Sequence, residues 1–382
     1  MIRIALLLLC AITPTFSAYA FEASIRGFIA LDMLVVKKTE GRKQEAETGI
    51  GTLDLKVYAT QDDFSMKIKL DLDDSRIGDA YNLFEEATVS YRAMPDHQII
   101  MGKGKVSFHQ MHWGVISPSF VDGGAELSPD HSLYDLDNRL VLSWRYGGFS
   151  RGFFNYLTYF GEAKSYSTNS DGTPRVSSTG TAPNQRFSLS YRNEKTFSSK
   201  DQAGIANKFE LFVNRELTLS TAGMYYYNSI NPKNNWAFDV AGRYSNKDIE
   251  IWAEYVHAFT STFYAANYAT FRKHENLLQL GAEYYMTEFY NVLANVEAAF
   301  VNNQHHSDPV GEFNDGKKVK TKTYKAEVGV KLKLHKSAFI TLGGQVEKQN
   351  TVIETDNTDN DQHAYIVASK FSFFFLRKYE RY

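Results

Sequence analysis

The stretch from Thr321 to Leu334, TKTYKAEVGVKLKL, decides the fold class. From Tyr324 onward its even positions are apolar, whereas its odd positions carry charged residues or glycine. Successive side chains of a β-strand point to opposite faces, so this stretch predicts a strand with one apolar and one polar face. A helix would need apolar residues three and four positions apart, a spacing that the stretch lacks.

The same alternation recurs along the chain. It is clear in 64–72 and 52–59, and weaker copies lie at 22–35, 81–93, 98–106, 136–146, 149–160, 185–193, 235–244, 248–258, 275–285, 289–301, 338–348 and 363–375. Most segments exceed the ~5–6 residues of a typical globular strand and suffice for a tilted membrane strand of ~9–11 residues. The sequence therefore predicts an all-β fold, a transmembrane antiparallel up-and-down β-barrel.

The connections between these segments alternate between short and long. The tight ones are 61–62, 94–97, 147–148, 245–247, 286–288 and 335–337, and the long polar ones are 36–46, 107–132, 161–184, 259–273, 302–320 and 350–362. Outer-membrane barrels have short periplasmic turns and longer outer loops. No linker or composition break indicates a second domain.

The strand count depends on the middle of the chain. Splitting 204–227 at Asn214-Arg215-Glu216 gives seventeen strands, an odd number that would place the two chain ends on opposite sides. Sixteen follow if 204–227 is one long strand, or if 185–193 belongs to an outer loop, and eighteen would need a further strand within 161–184. We predict sixteen strands.

Composition excludes several classes of protein. The chain has 382 residues, 43% hydrophobic and 23% charged, so it is neither disordered nor a multi-helix membrane protein. A formal charge of -2 gives no reason to expect nucleic acid as a partner. With a single cysteine, disulfides and cysteine metal sites are not expected.

The N-terminus carries an export signal. Arg3 precedes the apolar run Ile4–Leu9, and the segment closes with Ala18-Tyr19-Ala20, the pattern of a signal peptide cut before Phe21. A membrane anchor is the alternative, but the run is shorter than the ~20 residues that a spanning helix needs. We therefore predict a signal peptide at 1–20, a barrel domain at 21–382, and location in the bacterial outer membrane.

The polar face of the predicted strands carries many charged residues. With the apolar face toward lipid, the inner wall would present the cations Lys56, Lys67, Lys69, Arg92, Lys103 and Lys105 together with acidic residues such as Asp54, Asp71 and Glu86. Buried charges are costly unless they are paired or hydrated, so this number of them predicts a water-filled lumen. The alternative is the solvated face of a soluble sheet.

One hairpin resembles a known family. Leu83-Phe84-Glu85-Glu86-Ala87-Thr88-Val89-Ser90-Tyr91 is followed by a turn at Pro95-Asp96 and then by Ile99-Ile100-Met101-Gly102-Lys103-Gly104-Lys105. These roughly twenty-five residues resemble the hairpin of Gram-negative outer-membrane porins of the general or phosphate-selective type. The resemblance implies a homotrimeric channel, surrounded by outer-membrane lipid and lipopolysaccharide, through which small hydrophilic solutes and ions diffuse.

The resemblance also implies a constriction. In such porins the third outer loop folds into the lumen, and by order its equivalent here is 107–132, with Asp122, Glu126 and Asp130. Acids on this loop would oppose the cations of the first five strands. The alternative is a mobile outer loop with solvated acids. Lys378 and Glu380 break the apolar parity of the last segment, so we expect its strand to end at Phe375, before a charged tail.

Enzyme and metal motifs lack their required context. Gly148-Phe149-Ser150-Arg151-Gly152 matches G-x-S-x-G, but a strand rather than a helix is predicted after it. His109 and His112 lack the helical four-residue spacing and the glutamate of a zinc protease. We predict no catalytic residue, no cofactor and no metal. The alternatives to a channel are a structural or adhesive barrel with a plugged lumen and a barrel-based surface hydrolase.

Overall fold

The structure, a computed structural model, describes residues 21–39, 44–72, 84–108, 139–161, 202–228, 235–264, 269–305, 318–353 and 358–381. These residues form sixteen strands. The strands are β1 (Phe21–Thr39), β2 (Glu45–Gln61), β3 (Phe64–Asp71), β4 (Phe84–Met94), β5 (His97–Gly104), β6 (Arg139–Gly148), β7 (Phe153–Gly161), β8 (Gln202–Phe212), β9 (Leu217–Asn228), β10 (Asn235–Ser245), β11 (Ile249–Tyr264), β12 (Ala269–Tyr285), β13 (Tyr290–His305), β14 (Lys318–His335), β15 (Ala338–Ile353) and β16 (Thr358–Arg381).

The strands close into one antiparallel barrel. Each pairs with its neighbours in sequence, and β16 pairs with β1 to complete the ring. The predicted fold class and the sixteen strands are therefore confirmed. Within the described ranges, no helix combines the length and the hydropathy needed to cross a bilayer.

The two ends of the barrel differ in their connections. Seven connections of two to four residues lie at the end where β1 begins and β16 finishes, which we call the turn end. The eight connections at the opposite end, the loop end, fall on 40–44, 72–83, 105–138, 162–201, 229–234, 265–268, 306–317 and 354–357. The predicted alternation of short and long connections holds for most of the chain, and an even strand number brings both chain ends to one side.

The middle of the chain contains two strands where one long strand was an option. β8 ends at Phe212 and β9 begins at Leu217, so 204–227 is divided at the Asn214-Arg215-Glu216 position. The Asn214 side chain explains the turn, because its Oδ1 accepts hydrogen bonds from the backbone N–H groups of Glu216 and Leu217, both at 2.8 Å. The segment 185–193 lies outside the described residues.

Three segments predicted as long loops, 36–46, 259–273 and 350–362, are largely strand. β11 and β12, for example, stay paired up to Tyr264 and Ala269. The alternation of apolar side chains ends where a strand leaves the apolar band of the barrel's outer surface. Backbone hydrogen bonds to the neighbouring strand do not depend on this alternation, so the strand continues. The sequence pattern therefore marks the apolar part of each strand and misses its polar extension.

The expected charged tail after Phe375 is also strand. β16 continues to Arg381, and the register pairs Arg381 with Phe21 and Leu376 with Arg26. A barrel leaves no open edge, because unpaired backbone groups are costly in a membrane. The end of β16 therefore pairs with the beginning of β1, even though Lys378 and Glu380 break the apolar alternation of the strand.

The described strands direct charged side chains mainly inward and large apolar side chains mainly outward. On β14, Glu327 is 4% exposed while the next residue, Val328, is 58% exposed. On β10, Asp239 is fully buried while Val240 is 48% exposed. A water-soluble sandwich would show the opposite arrangement. The outer surface therefore has the apolar character that a lipid environment requires.

An aromatic cluster marks the outer surface at the turn end. The His97 ring stacks on Trp144 and Tyr146 with centroid distances of 5.6 Å and 4.7 Å, and Trp144 Nε1 lies 3.2 Å from His97 Nδ1. Amphipathic rings favour the membrane–water interface. The cluster lies on the outer surface near the turn end, where a membrane barrel carries one of its two aromatic girdles.

Candidate functional site

The inner wall of β2, β3 and β4 carries a mixed but mainly basic surface. Lys69 lies opposite Lys56 on one side and Glu86 on the other, which places all three on the inward face. Lys69 Nζ is 3.3 Å from Asp54 Oδ2, and Lys67 forms an ion pair with Glu86. More than a third of the Lys56 and Lys67 side chains stays accessible. Two carboxylates thus moderate the charge of three lysines without covering them.

A polar ladder continues this wall toward the turn end. Ser65 Oγ lies 2.6 Å from Ser90 Oγ, and Gln98 Nε2 donates to Ser90 Oγ at 2.7 Å. Arg92 lies opposite Gln98 and is exposed. Hydrogen-bonding groups therefore line the wall between the lysines and the turn end.

One of the predicted wall residues faces outward, and another lies beyond the strand register. Lys103 lies opposite Ala87 and Leu140, on the outward face that it shares with Met101, and its Nζ donates to the Phe84 carbonyl oxygen. Lys105 is exposed and follows the last residue of β5. We correct the assignment of Lys103, because the alternation of glycine and lysine gives no apolar cue to the face of this strand, whereas Lys105 stays a prediction.

The two glycines of this stretch explain the orientation. Gly102 has a φ of +134°, and a Cβ there would overlap the Ala87 carbonyl oxygen. A Cβ at Gly104 would press against the Thr88 side chain. Close strand packing accounts for both residues.

The wall formed by β8 to β15 contains close ion pairs, two of them with buried lysines. Lys325 Nζ lies 2.6 Å from Glu327 Oε1, and Lys208 Nζ lies 2.8 Å from Glu210 Oε1. A further pair joins Arg243 Nε to Glu250 Oε1 at 3.0 Å. Among its described residues this wall also holds three other buried carboxylates, Asp239, Glu254 and Glu347. The sequence analysis left the division of 204–227 open and assigned no face to Lys208 or Glu210, although both alternate with the apolar Phe209 and Leu211.

The chain leaves β5 on the inner side of the barrel. Val106 and Phe108 are fully buried. They join one apolar cluster with Val141, Phe160 and Ala206, residues on the inward faces of β6, β7 and β8. The described start of the third long connection thus packs against the inner wall. Asp122, Glu126 and Asp130 lie outside the described residues.

The remaining sequence motifs form no reactive site in the described structure. Residues Phe149–Arg151 make a single 3-10 turn, Gly152 follows in a left-handed conformation (φ 76°), and β7 begins directly afterwards. Ser150 is exposed in this turn, without the strand–turn–helix context of a nucleophile elbow. His109 and His112 lie outside the described ranges. Inside those ranges, no group of three or more His, Cys, Asp or Glu side chains could hold a metal ion.

Comparison with known proteins places this geometry in a class. No protein-family model matches the chain, and no curated protein matches it by sequence. The trimer form of OmpT, an outer membrane protein of Vibrio cholerae, superposes with a TM-score of 0.56 at 14% identity, covering 93% of this chain and 100% of OmpT. The outer membrane channel DcaP of Acinetobacter baumannii gives 0.53 at 15% identity, with 94% and 98% covered.

A third solved structure extends the comparison. The anion-selective porin from Comamonas acidovorans gives a TM-score of 0.52 at 11% identity, with 92% of this chain and 100% of that porin covered. At these identities the likeness shows the fold alone. Together with the closed sixteen-strand ring, it shows that the chain has the fold of a porin-like outer-membrane β-barrel.

Proposed function

We propose that the barrel is a water-filled channel for the passive diffusion of small hydrophilic solutes and ions across the outer membrane. The observation that supports this most strongly is the reversal of polarity between the two faces, charged inside and apolar outside. A barrel that only anchored a surface domain would not need charged residues on the inner faces of most of its strands. Sixteen strands also enclose enough space for an aqueous channel.

The two walls would act differently on a passing ion. Lys56 and Lys67 are partly accessible, so they can meet a solute directly. Carboxylates such as Glu254 and Asp239 are buried within the other wall and contribute mainly through their field. Charged side chains lining a pore set ion preference, and those on β2 and β3 are the residues that we expect to dominate it.

We further propose that 107–132 narrows the lumen. The inward start of this connection at Val106 and Phe108 supports the proposal. Its test is the variant Asp122→Asn/Glu126→Gln/Asp130→Asn, recorded in single channels under a salt gradient. A changed conductance and a reversal potential shifted toward anions are expected. Unchanged values for both would remove the segment from the constriction.

Assembly and export belong to the same proposal. We propose a homotrimer, which the trimer form of OmpT supports as the assembly of a similar fold. We also propose that residues 1–20 are cleaved before Phe21, the residue at which β1 begins. Native gel migration of the purified barrel tests the first point, and N-terminal sequencing of the exported protein tests the second.

Planar-bilayer recording tests the channel itself. Protein comprising residues 21–382 is folded into detergent, checked for heat-modifiable migration, and added to one side of the membrane. Stable ohmic current steps are expected. Electrical silence from a correctly folded barrel would contradict the channel and favour an adhesive barrel with a plugged lumen.

A further inference from the structure

Three phenylalanine rings gather on the inner side of the barrel at its turn end. Phe154 lies opposite Glu210, and Phe212 follows Glu210 by two positions, so both rings belong to the inward face. Phe149, in the turn between β6 and β7, packs against them with ring centroids 5.5 Å from Phe154 and 4.9 Å from Phe212. Its side chain is 79% exposed, more than any other large apolar side chain that the structure describes. An aromatic surface is therefore accessible at this mouth of the lumen.

Two arginines lie beside these rings on the inner wall. Arg145 of β6 lies opposite Gln98, and Arg92 of β4 lies opposite Gln98 from the other side. Neighbouring strands are about 4.8 Å apart, so the Cα atoms of the two arginines are separated by roughly 10 Å. The Arg145 guanidinium carbon is 5.2 Å from the centre of the Phe154 ring. Arg92 is exposed and Arg145 is half-buried, so a solute at the mouth can reach both.

The acids at this mouth are engaged by other cations. Glu210 Oε1 lies 2.8 Å from Lys208 Nζ, and Asp96 Oδ2 accepts a hydrogen bond from Arg151 Nε at 2.6 Å. Neither of the two arginines beside the rings forms an ion pair with a carboxylate that the structure describes. The mouth therefore combines an accessible aromatic surface with two positive charges that no described acid compensates.

We call Phe149, Phe154, Phe212, Arg92 and Arg145 the mouth site. We propose that the mouth site binds an aromatic carboxylate, whose ring lies on the phenylalanines and whose carboxylate pairs with the arginines. Aromatic rings attract one another in tilted and offset arrangements, and a guanidinium binds a carboxylate through charge-assisted hydrogen bonds. A neutral sugar would use the rings but not the charges, and a small inorganic anion would use the charges but not the rings. The inference rests on the proposed channel, because it names a class of solute that the channel would hold at its turn end.

The experiment measures the binding of three small probes to the folded barrel in detergent by titration calorimetry. Benzoate carries both a ring and a negative charge, benzamide carries only the ring, and acetate carries only the charge. Wild type is expected to bind benzoate on the order of tenfold more tightly than benzamide or acetate, because the ring contact and the charge contact each contribute to affinity.

Two variants and two controls assign these contacts. Arg92→Gln/Arg145→Gln should weaken benzoate binding about tenfold, to the level of benzamide, because the charged partners of the carboxylate are lost. Phe149→Ser should weaken it roughly three- to tenfold through the lost ring contact. The controls Lys247→Gln and Phe289→Ser change residues that are exposed in other turns at the same end, and both should bind benzoate like wild type.

Several results would overturn the mouth site. Equal affinity of wild type for benzoate and for either fragment would do so, as would unchanged benzoate binding in either variant once heat-modifiable migration shows that it is folded. Tighter binding of glucose than of benzoate would replace the proposal by a sugar site. Calorimetry does not require conduction, so an electrically silent barrel that binds benzoate selectively would refute only the channel. A conducting barrel that does not distinguish the three probes would refute only the mouth site.

Discussion

Lys325 Nζ lies 2.6 Å from Glu327 Oε1 on the inner face of β14, and both side chains are less than a tenth exposed. The register places Glu347 of β15 opposite Lys325 on one side and Glu297 of β13 opposite it on the other, so Lys325 lies among three carboxylate positions. Because residues two apart share a face of a strand, the sequence alone places Lys325 and Glu327 side by side, whereas the strand register brings Glu347 opposite Lys325. The stability of the inner wall should therefore depend on the Lys325–Glu327 ion pair, which follows from the alternating charge pattern of the sequence.

Removing this ammonium should destabilise the barrel. Lys325→Met removes the ammonium that lies beside Glu327 and opposite Glu347, and we expect the free energy of unfolding to fall by about 3 kcal/mol. Urea unfolding in lipid vesicles, followed by tryptophan fluorescence, measures the loss. Lys336→Met, in the exposed turn before β15, is the control and should change stability by less than about 0.5 kcal/mol. Equal midpoints for the two variants would show that the pair is not structurally important.

The closing seam between β1 and β16 should be sensitive at Gly27. Phe375 lies across Gly27 on the outer face, and a Cβ at Gly27 would overlap its ring. Gly27→Val should therefore displace Phe375 and cost about 1–3 kcal/mol. Gly223, where a Cβ would meet nothing within 4 Å, supplies the control Gly223→Val. If both variants show the same heat-modifiable migration and urea midpoint, Phe375 does not secure the seam.

Deleting residues 376–382 tests whether the end of the chain is strand or tail. The structure pairs Leu376 to Arg381 with Arg26 to Phe21, so the deletion removes the partner from the first part of β1. We expect a large loss of folded, heat-modifiable protein after refolding into detergent. A dispensable tail would leave the folding yield unchanged.

Ion preference should depend on the β2–β3 lysines. Lys56→Gln/Lys67→Gln/Lys69→Gln removes three positive charges from the inner wall, which lowers the local concentration of anions. Under a potassium chloride gradient, the reversal potential should therefore move toward that of a cation-preferring channel. Lys103→Gln removes one charge from the outward face and should leave the potential unchanged. A reversal potential that shifts in Lys103→Gln alone would mean that Lys103, and not the β2–β3 lysines, faces the lumen.

The sequence predicts the faces of strands but not all of their limits. The alternation in 321–334 predicts which side chains of β14 are buried, because apolar and charged residues strictly alternate there. In Gly102-Lys103-Gly104-Lys105 neither parity is apolar, so only the strand register could place Lys103 outward. The end of β16 at Arg381 depends on β1, a partner more than 350 residues away in sequence, and no local pattern encodes it.

The central claim is that water fills the inside of this barrel and lipid covers its outside. Lys67 and Val89 test it, because they lie on neighbouring strands at almost the same height but on opposite faces. The sole cysteine of the chain is Cys10, so residues 21–382 provide a cysteine-free background for single Lys67→Cys and Val89→Cys variants. In vesicles, a water-soluble maleimide should label Lys67→Cys and reduce its conductance, while Val89→Cys should react only with a lipid-soluble maleimide. Labelling of Val89→Cys by the water-soluble reagent, with Lys67→Cys protected, would contradict the claim.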